Sequence, residues 1–280
     1  MALGAGVLSL GLSAIFVRWA QAPGVVSSFY RMAIATVAVG APFAIRMYKG
    51  YWPPWSALRL ALLGGIFFAA DLAAWATGVV LSGATNPTLM ANTAPVWVGL
   101  GAMVLFRQRL SPAFWVGIVI AIVGAALVLG LEQEGQVIGS LLGLLAAVFY
   151  AGYFLVTQLG REKLDSLSYF WFAAMSSAAV LLLLSWGLDQ PLSGYPPTTY
   201  LTFVAMALTT QIIGYFAISF ALGYLPASVV APTLLGQPVI TAILAGALLG
   251  ETLGSSQILG GLGVLAGVLV VVRSQQDSRN

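Results

Sequence analysis

Long apolar stretches, separated by charged residues, prolines and glycine-rich points, occupy most of the chain. Ten of them contain 18 or more residues. An α-helix rises about 1.5 Å per residue and the hydrocarbon core of a bilayer is about 30 Å thick, so each stretch can cross a membrane as a helix. No alternation of apolar and polar residues, which would indicate a membrane β-barrel, runs through the chain. We therefore predict an all-α integral membrane protein. Its predicted transmembrane helices cover 2–19, 25–46, 59–81, 85–106, 112–131, 138–158, 168–187, 199–221, 227–249 and 256–273.

The composition fits such a protein and excludes several kinds of chemistry. Hydrophobic residues make up 60% of the 280 positions and charged residues 7%, whereas a soluble domain averages about 45–50% and about 25%. The chain contains no cysteine and no histidine. Disulfides, thiol redox centres, zinc fingers and histidine-dependent catalytic triads are thereby excluded. We expect no metal and no cofactor.

The basic residues indicate how the helices are oriented. With the N-terminus inside, nine of the eleven Lys and Arg fall in inner loops or at inner helix ends, and only Arg18 and Arg31 fall on the outer side. Inner loops of membrane proteins are enriched in Lys and Arg. We therefore predict a multi-pass protein of the plasma (inner) membrane with both termini in the cytoplasm. Because the charges are scattered and form no patch, we expect no nucleic-acid partner.

The two halves of the chain resemble each other. A shift of 143 residues, without gaps, superimposes 84–129 on 227–272. The identical pairs that an apolar bias explains least are Pro95 with Pro238, Gly117 with Gly260, and Gly124 with Gly267. We divide the single membrane domain into a first five-helix repeat, 1–131, and a second, 132–280. Because five is odd, the second repeat must enter the membrane from the opposite side.

Inverted repeats of this kind are typical of secondary transporters, whose halves exchange inward-open and outward-open shapes around a site at the midplane. An inert scaffold built by duplication is the alternative. A repeat fused within one chain does not require a second copy, so a monomer is compatible with function.

Several short motifs carry a resemblance to a known family. The first half contains Ala94-Pro95-Val96, an apolar helix and a charged break at Arg107–Arg109. The second half contains Gln237-Pro238-Val239 and then Leu248-Leu249-Gly250-Glu251-Thr252-Leu253. Both resemble the halves of the drug/metabolite transporter (DMT) superfamily, and specifically its EamA family. Phe29-Tyr30-Arg31 resembles the second helix of that family.

The resemblance covers essentially the whole chain. It implies ten transmembrane helices in two inverted repeats and the export of amino acids or other small metabolites. Among the members, the aromatic amino-acid exporters of the YddG type are the preferred analogue. The halves differ at one position, because Gln108 stands where the second half has Glu251. This position cannot have the same role in both halves.

Two matched prolines mark the first candidate substrate-binding residues. Pro95 and Pro238 lie near the middle of their predicted helices, where proline removes a backbone hydrogen bond and frees a carbonyl group. At membrane depth such a carbonyl is tolerated only against protein or a cavity. Asn92, Thr93 and Gln237 stand beside the two kinks, so we place substrate binding here. The alternative is a packing kink whose polar side chains join helices.

Asp71 is the only acidic residue far from a predicted helix end. It follows Arg59 by twelve residues, or about 18 Å of helix, which places it near the bilayer centre. A carboxylate at that depth costs about 2.5–3.5 kcal/mol and is expected to be functional. We predict that Asp71 binds the substrate or a coupling proton. A structural pair with Arg31 is the alternative, and transport would then be uncoupled.

Aromatic and polar side chains complete the candidate site. The remaining candidates, each within a predicted helix, are Trp75, Tyr150, Tyr153, Gln211 and Tyr215. Trp75 lies one turn from Asp71 and is expected on the same helix face. Flat rings with a polar edge suit an amphiphilic or aromatic substrate. The alternative is ordinary packing of the rings in the core.

The function that these residues favour is export of amino acids, including aromatic ones, or similar small metabolites by alternating access. A multidrug or cation exporter, with Asp71 as the cation or proton site, is the alternative. An intramembrane enzyme is not expected, because histidine and cysteine are absent and the deep carboxylate has no acidic partner. A channel is not expected either, because no charged ring or carbonyl filter is visible. The expected partners are a small-molecule substrate and the lipid bilayer.

Overall fold

The protein is described by a computed structural model, which covers residues 2–50, 52–83, 85–129, 137–240, 243 and 254–277. Glu251 and the end of the predicted helix 227–249 lie outside these residues. Within them the chain is helical and contains no strand, as predicted.

The helix bounds follow the predicted segments closely, although several segments are divided into shorter pieces. In chain order the elements are α1 (Ala2–Leu10), α2 (Ser13–Ala20), α3 (Gly24–Tyr48), α4 (Trp55–Ser82), α5 (Thr85–Ala91), α6 (Ala94–Leu105), α7 (Pro112–Leu129), α8 (Val137–Arg161), α9 (Ser166–Gly187), α10 (Pro197–Met206), a π-helix (Ala207–Tyr215), α11 (Phe216–Ala221), α12 (Ala227–Thr233), a 3₁₀ turn (Leu234–Gly236) and α13 (Ser255–Asp277).

Seven helical stretches of the described chain are long and apolar enough to cross a membrane. Three shorter apolar helices, 2–17, 112–127 and 227–240, fall on the remaining predicted segments. The protein is therefore an all-α, multi-pass membrane protein. That the shorter helices also cross, which would make ten spans, stays a prediction, because a crossing takes about 20 residues.

Prolines and glycines set helix ends where the chain turns back. Pro54 directly precedes α4, where it needs no backbone N–H partner. Gly50 after α3 and Gly83 after α4 take φ values of 84° and 79°. Glycine enters this left-handed region without the steric penalty that other residues meet, so both helices end there.

Asp165 caps the start of α9. Its Oδ1 accepts hydrogen bonds from the backbone N–H groups of Leu167 (3.0 Å) and Ser168 (3.1 Å), and its Oδ2 lies 3.3 Å from Nη2 of Arg46. Partial burial raises the pKa of Asp165, but the hydrogen bonds and the Arg46 charge outweigh burial and hold the pKa below its usual value. The cap therefore also ties α9 to the end of α3.

α7 and α13 pack directly against each other through glycines of the repeat. A Cβ on Gly117 would lie 2.8 Å from the carbonyl oxygen of Gly267, and one on Gly124 would lie 2.6 Å from that of Gly260. Only glycine permits so close an approach of two membrane helices. The earlier glycine of α7 meets the later glycine of α13, and the later one meets the earlier one, so the two helices are antiparallel.

Three of the predicted transmembrane segments are interrupted, at Gly11–Leu12, at Asn92–Thr93 and at Leu234–Gly236. The expectation that Pro95 and Pro238 kink continuous helices is wrong in this detail. Pro95 is the second residue of α6, and Pro238 is the second residue after the 3₁₀ turn. Proline is well tolerated in the first turn of a helix, because its missing N–H would have no partner there. The shift that aligns the halves also superimposes these two breaks.

Candidate functional site

Arg31 lies in the interior of the bundle, on α3. It is 1% exposed and lies seven residues after the first residue of α3; its place on the outer side of the membrane stays a prediction. Its Nε donates a hydrogen bond to Oε1 of Gln211 (3.1 Å), and its Nη1 donates one to Oγ of Ser13 (3.3 Å). Its Nη2 is buried and has no hydrogen-bond partner among the described residues. One edge of a permanently charged guanidinium is therefore left unsatisfied.

Two irregular stretches of helix bring these partners to the guanidinium. The break at Gly11–Leu12 places Ser13 at the start of α2. The π-helix carries Gln211 and packs against α1 at Gly214. π-Helical turns are rare and frequently occur at functional sites. Both irregular stretches thus supply a hydrogen-bond acceptor to the Arg31 guanidinium.

Asp71 faces the same interior from α4. It is 5% exposed and lies sixteen residues after the first residue of α4 and eleven before the last, or about 24 Å and about 16 Å from the helix ends. Its carboxyl group makes no hydrogen bond with the described residues. It is close enough to Arg31 for an electrostatic interaction, but the two groups form no direct ion pair. The Arg31 guanidinium and the Asp71 carboxyl group therefore lie in the same interior without a direct contact.

Four aromatic rings surround these charges. Phe68 lies 4.6 Å from Tyr153 and 4.5 Å from Tyr215, and Tyr150 lies 6.2 Å from each of these tyrosines, measured between ring centroids. The guanidinium carbon of Arg31 lies 5.4 Å from the Tyr215 ring and 5.9 Å from the Phe68 ring, within cation–π distance. The Tyr150 hydroxyl is buried and has no hydrogen-bond partner in the described chain. We call the following residues the central site: Ser13, Arg31, Phe68, Asp71, Tyr150, Tyr153, Gln211 and Tyr215.

Five residues predicted from the sequence meet in the central site, although they belong to three different helical elements. They are Asp71, Tyr150, Tyr153, Gln211 and Tyr215. Arg31 was not among the residues predicted to bind substrate, although it was the predicted alternative partner of Asp71, and Ser13 and Phe68 were not predicted at all. Phe68 carried a signal, because it precedes Asp71 by three residues and shares its helix face. Ser13 carried none.

Trp75 shares that face of α4 but belongs to a different cluster. Its Nε1 donates a hydrogen bond to Oγ1 of Thr88 (3.1 Å), and its ring packs in an apolar layer with Val17, Val79 and Met206. Val17 and Val79 also line an open pocket of about 600 Å³, where α2 and α4 end and α3 begins. Along α4, Trp75 lies between Asp71 and the pocket residue Val79, and its part in substrate binding stays a prediction.

The proline-associated candidates lie at the two helix breaks. Thr93 Oγ1 donates a hydrogen bond to a backbone carbonyl of α5 (2.7 Å), and Nδ2 of Asn92 is buried without a partner in the described chain. Pro95 and Pro238 are buried, and Gln237 is half-buried. Among the described residues, no hydrogen bond or ring contact joins Asn92 or Thr93 to the central site.

A polar network lies at the end of the bundle opposite the pocket. Nε2 of Gln108 donates hydrogen bonds to Oγ of Ser228 (2.9 Å) and Oε1 of Gln275 (2.7 Å), and the Ser228 hydroxyl donates back to Oε1 of Gln108 (3.1 Å). These residues follow α6, begin α12 and lie near the end of α13. The network joins the two halves of the chain at this end.

Comparisons with known proteins agree with the family resemblance. A model of the EamA-like transporter family matches residues 1–130 and 137–273. An uncharacterized transporter of Synechocystis sp. is 29% identical over 176 residues, which cover 60% of this chain and 52% of the relative. A probable amino-acid metabolite efflux pump of Salmonella typhimurium is 32% identical over 188 residues, which cover 62% of each protein. The matched part thus spans about half of the first relative and less than two thirds of the second.

The fold is also shared with a solved crystal structure. The two chains superimpose with a TM-score of 0.80 at 18% identity, over 100% of this chain and 98% of the other. At that identity the likeness shows the fold alone. The family match extends over almost the whole chain, and it confirms the expected EamA membership. This protein belongs to the EamA-like transporter family.

Proposed function

We propose that this protein is a secondary transporter that exports amino acids or similar small metabolites and binds them at the central site. The observation that carries the proposal is the pair Arg31 and Asp71, two buried opposite charges that do not pair directly. Charged groups at membrane depth are costly and mark substrate or ion pathways. The name of the Salmonella relative, a probable amino-acid metabolite efflux pump, supports this substrate class.

The rings of the central site favour substrates with an aromatic or apolar side chain. Phe68 and Tyr215 cover the guanidinium, and Tyr153 stacks on Phe68. Such surfaces gain free energy from contact with another ring or apolar group. This supports the proposal that the protein resembles the aromatic amino-acid exporters of the YddG type.

The glycine contacts between α7 and α13 support an inverted repeat and alternating access. The shift of 143 residues relates Gly117 to Gly260 and Gly124 to Gly267, and it exchanges the two observed contacts with each other. A two-fold axis that relates antiparallel helices is perpendicular to them. If the helices cross the bilayer, the axis lies in the membrane plane, as in transporters that expose a central site alternately to the two sides.

The predicted charge asymmetry would orient the bundle in the plasma membrane with both termini in the cytoplasm. The pocket beside Trp75 then faces outward and the Gln108 network faces the cytoplasm. Export would proceed from the network end to the pocket end. A monomer contains every residue that this proposal requires.

Asp71 is also the proposed coupling residue, because its carboxyl group can hold either a proton or the substrate. Arg31 and the tyrosines of the central site face it. Transport driven by a pH gradient should be lost in the folded Asp71→Asn variant. Persistence with the same pH dependence would exclude Asp71 as the coupling residue. The buried positive charge of Arg31 opposes a purely cationic substrate, so we favour amino acids over the multidrug alternative.

Counterflow in proteoliposomes tests the proposed function. Vesicles loaded with an unlabelled amino acid should transiently accumulate its labelled form, with saturation, for one or more of phenylalanine, tryptophan, leucine and threonine. Vesicles without protein are the control. Exchange restricted to cationic drugs would support the multidrug alternative, and a non-saturating ionic current would indicate a channel.

A further inference from the structure

We infer that Arg31 and Asp71 divide the recognition of a zwitterion between them: Nη2 of Arg31 binds the substrate carboxylate, and the Asp71 carboxylate binds the substrate ammonium group. The inference rests on the proposed transport function and deepens it. It assigns each charged group of the substrate to one side chain, which the family match does not.

The guanidinium of Arg31 is held so that one nitrogen remains available. Gln211 accepts from Nε and Ser13 accepts from Nη1, and these two contacts fix the orientation of the planar group. Nη2 is buried and carries two N–H donors without an acceptor in the described chain. Hydrogen bonds between a guanidinium and a carboxylate are roughly twice as strong as those between neutral groups. A carboxylate is therefore the ligand that fits this nitrogen best.

The Asp71 carboxyl group is suited to the other end of a zwitterion, the ammonium group. An ionised carboxylate only accepts hydrogen bonds, and no described side chain or backbone group donates one to Asp71. An ammonium group supplies both the opposite charge and three donors. Hydrogen-bond donors are missing around Asp71 in the described structure, where Arg31 supplies a positive charge but no direct contact.

A zwitterion satisfies both residues at once, and molecules with a single charge do not. An amine that binds Asp71 leaves Nη2 buried and unpaired and places a second positive charge beside Arg31. A carboxylic acid that binds Arg31 leaves Asp71 without a donor and places a second negative charge beside it. Binding sites that hold unpaired buried polar groups reject such analogues strongly.

Three probes that share one side chain separate these cases. Phenylalanine carries both charges, 2-phenylethylamine lacks the carboxylate, and 3-phenylpropionate lacks the ammonium group. In phenylalanine counterflow with the wild-type protein, each analogue should inhibit about 100-fold more weakly than unlabelled phenylalanine.

Two variants should change this discrimination in opposite directions. With Arg31→Gln, 2-phenylethylamine should inhibit about as well as phenylalanine, while 3-phenylpropionate stays weak. With Asp71→Asn, 3-phenylpropionate should gain relative to phenylalanine, while the amine stays weak. Because both variants are expected to transport slowly, binding is also measured by the shift of thermal unfolding that each probe causes. Arg161→Gln and Asp165→Asn are matched controls outside the central site and should leave the discrimination unchanged.

The outcomes separate the inference from the function on which it rests. If the wild-type protein exchanges phenylalanine but both variants lose the three probes in parallel, the pair is structural and the inference is wrong. Equal inhibition of the wild type by phenylalanine and by either analogue also overturns it. If no amino acid shows saturable counterflow, the proposed function fails first and the inference fails with it. The crossed pattern of the two variants supports both.

Discussion

The Nε–H group of Arg31 donates a hydrogen bond to Oε1 of Gln211, which lies 180 residues away in the sequence. The contact joins α3 to the π-helix and fixes the direction in which the guanidinium points. The contact can be tested by replacing Gln211 with a side chain of similar size that cannot accept a hydrogen bond.

Replacing Gln211 by leucine should weaken substrate binding more than it slows transport. Arg31 loses the acceptor that orients it, and a buried donor left unpaired costs about 1–3 kcal/mol. We expect the KM for counterflow to rise about tenfold or more with little change in the maximal rate. Thr202→Ala is the control, because its hydroxyl bonds only to the carbonyl of Thr198 on its own helix. An unchanged KM would show that Gln211 does not position Arg31.

The Gln108 network should hold the end opposite the pocket closed. Gln108→Leu removes its hydrogen bonds to Ser228 and Gln275. A loss of about 1 kcal/mol shifts a two-state equilibrium about fivefold toward the open state. Because the chain contains no cysteine, Ser13→Cys provides a single thiol in the central site. We expect a polar maleimide to label it about fivefold faster in the Gln108→Leu background.

Labelling in the Ser185→Ala background gives the control for this experiment. Ser185 is buried and bonds only to the carbonyl of Leu181 on the same helix. Its replacement removes a buried hydroxyl without touching the network. Equal labelling rates in the two backgrounds would mean that the network does not govern access.

Gly124→Ala should destabilise the fold by separating α7 from α13. The added Cβ would lie 2.6 Å from the carbonyl oxygen of Gly260, and backbone cannot move aside as a flexible side chain can. Forced overpacking of this kind costs about 1–3 kcal/mol. We expect a lower Tm in detergent, measured by tryptophan fluorescence. Gly4→Ala is the matched control, since a Cβ there meets no atom within 4 Å; equal Tm values for the two variants would contradict the predicted contact.

The Asp165 cap should make stability depend on acid pH. Hydrogen bonds and the charge of Arg46 hold the pKa of Asp165 below its usual value of 3.8, against the opposing effect of burial. A carboxyl group with a lowered folded-state pKa stabilises the fold above its unfolded pKa and loses this effect as the pH falls through the folded one. Asp165→Ala should cost about 1 kcal/mol near pH 7. Its Tm difference from the wild type should stay constant down to about pH 5 and shrink below about pH 4.

Asp165→Asn distinguishes the charge from the cap. Asparagine retains a side-chain acceptor for the N-terminal backbone groups but carries no charge for Arg46. Its Tm should lie between those of the wild type and Asp165→Ala at neutral pH. A difference that persists unchanged at pH 3 would show that ionisation of Asp165 does not contribute.

Some features of the central site could be predicted from the sequence, because they depend only on where a residue stands within one helix. The depth of Asp71 follows from its distance along an apolar segment, and the inward stripe of Tyr150 and Tyr153 follows from helical spacing. Trp75 shows the limit of this argument. It shares a face with Asp71, yet α2 packs over its part of α4 and includes it in another cluster.

The class of fold follows from the apolar segments alone, because in lipid such long segments are stable only as helices that satisfy their own backbone hydrogen bonds. The family resemblance and the matched glycine pairs are also visible in the sequence, whereas the contact between these glycines is a finding of the structure. The position of Arg31 in the interior of the bundle, by contrast, could be seen only in the folded protein. Its partners Ser13 and Gln211 lie 18 and 180 residues away, and no local pattern reports such a contact. The packing of whole helices sets which side chains face one interior, and that packing is a property of the complete fold.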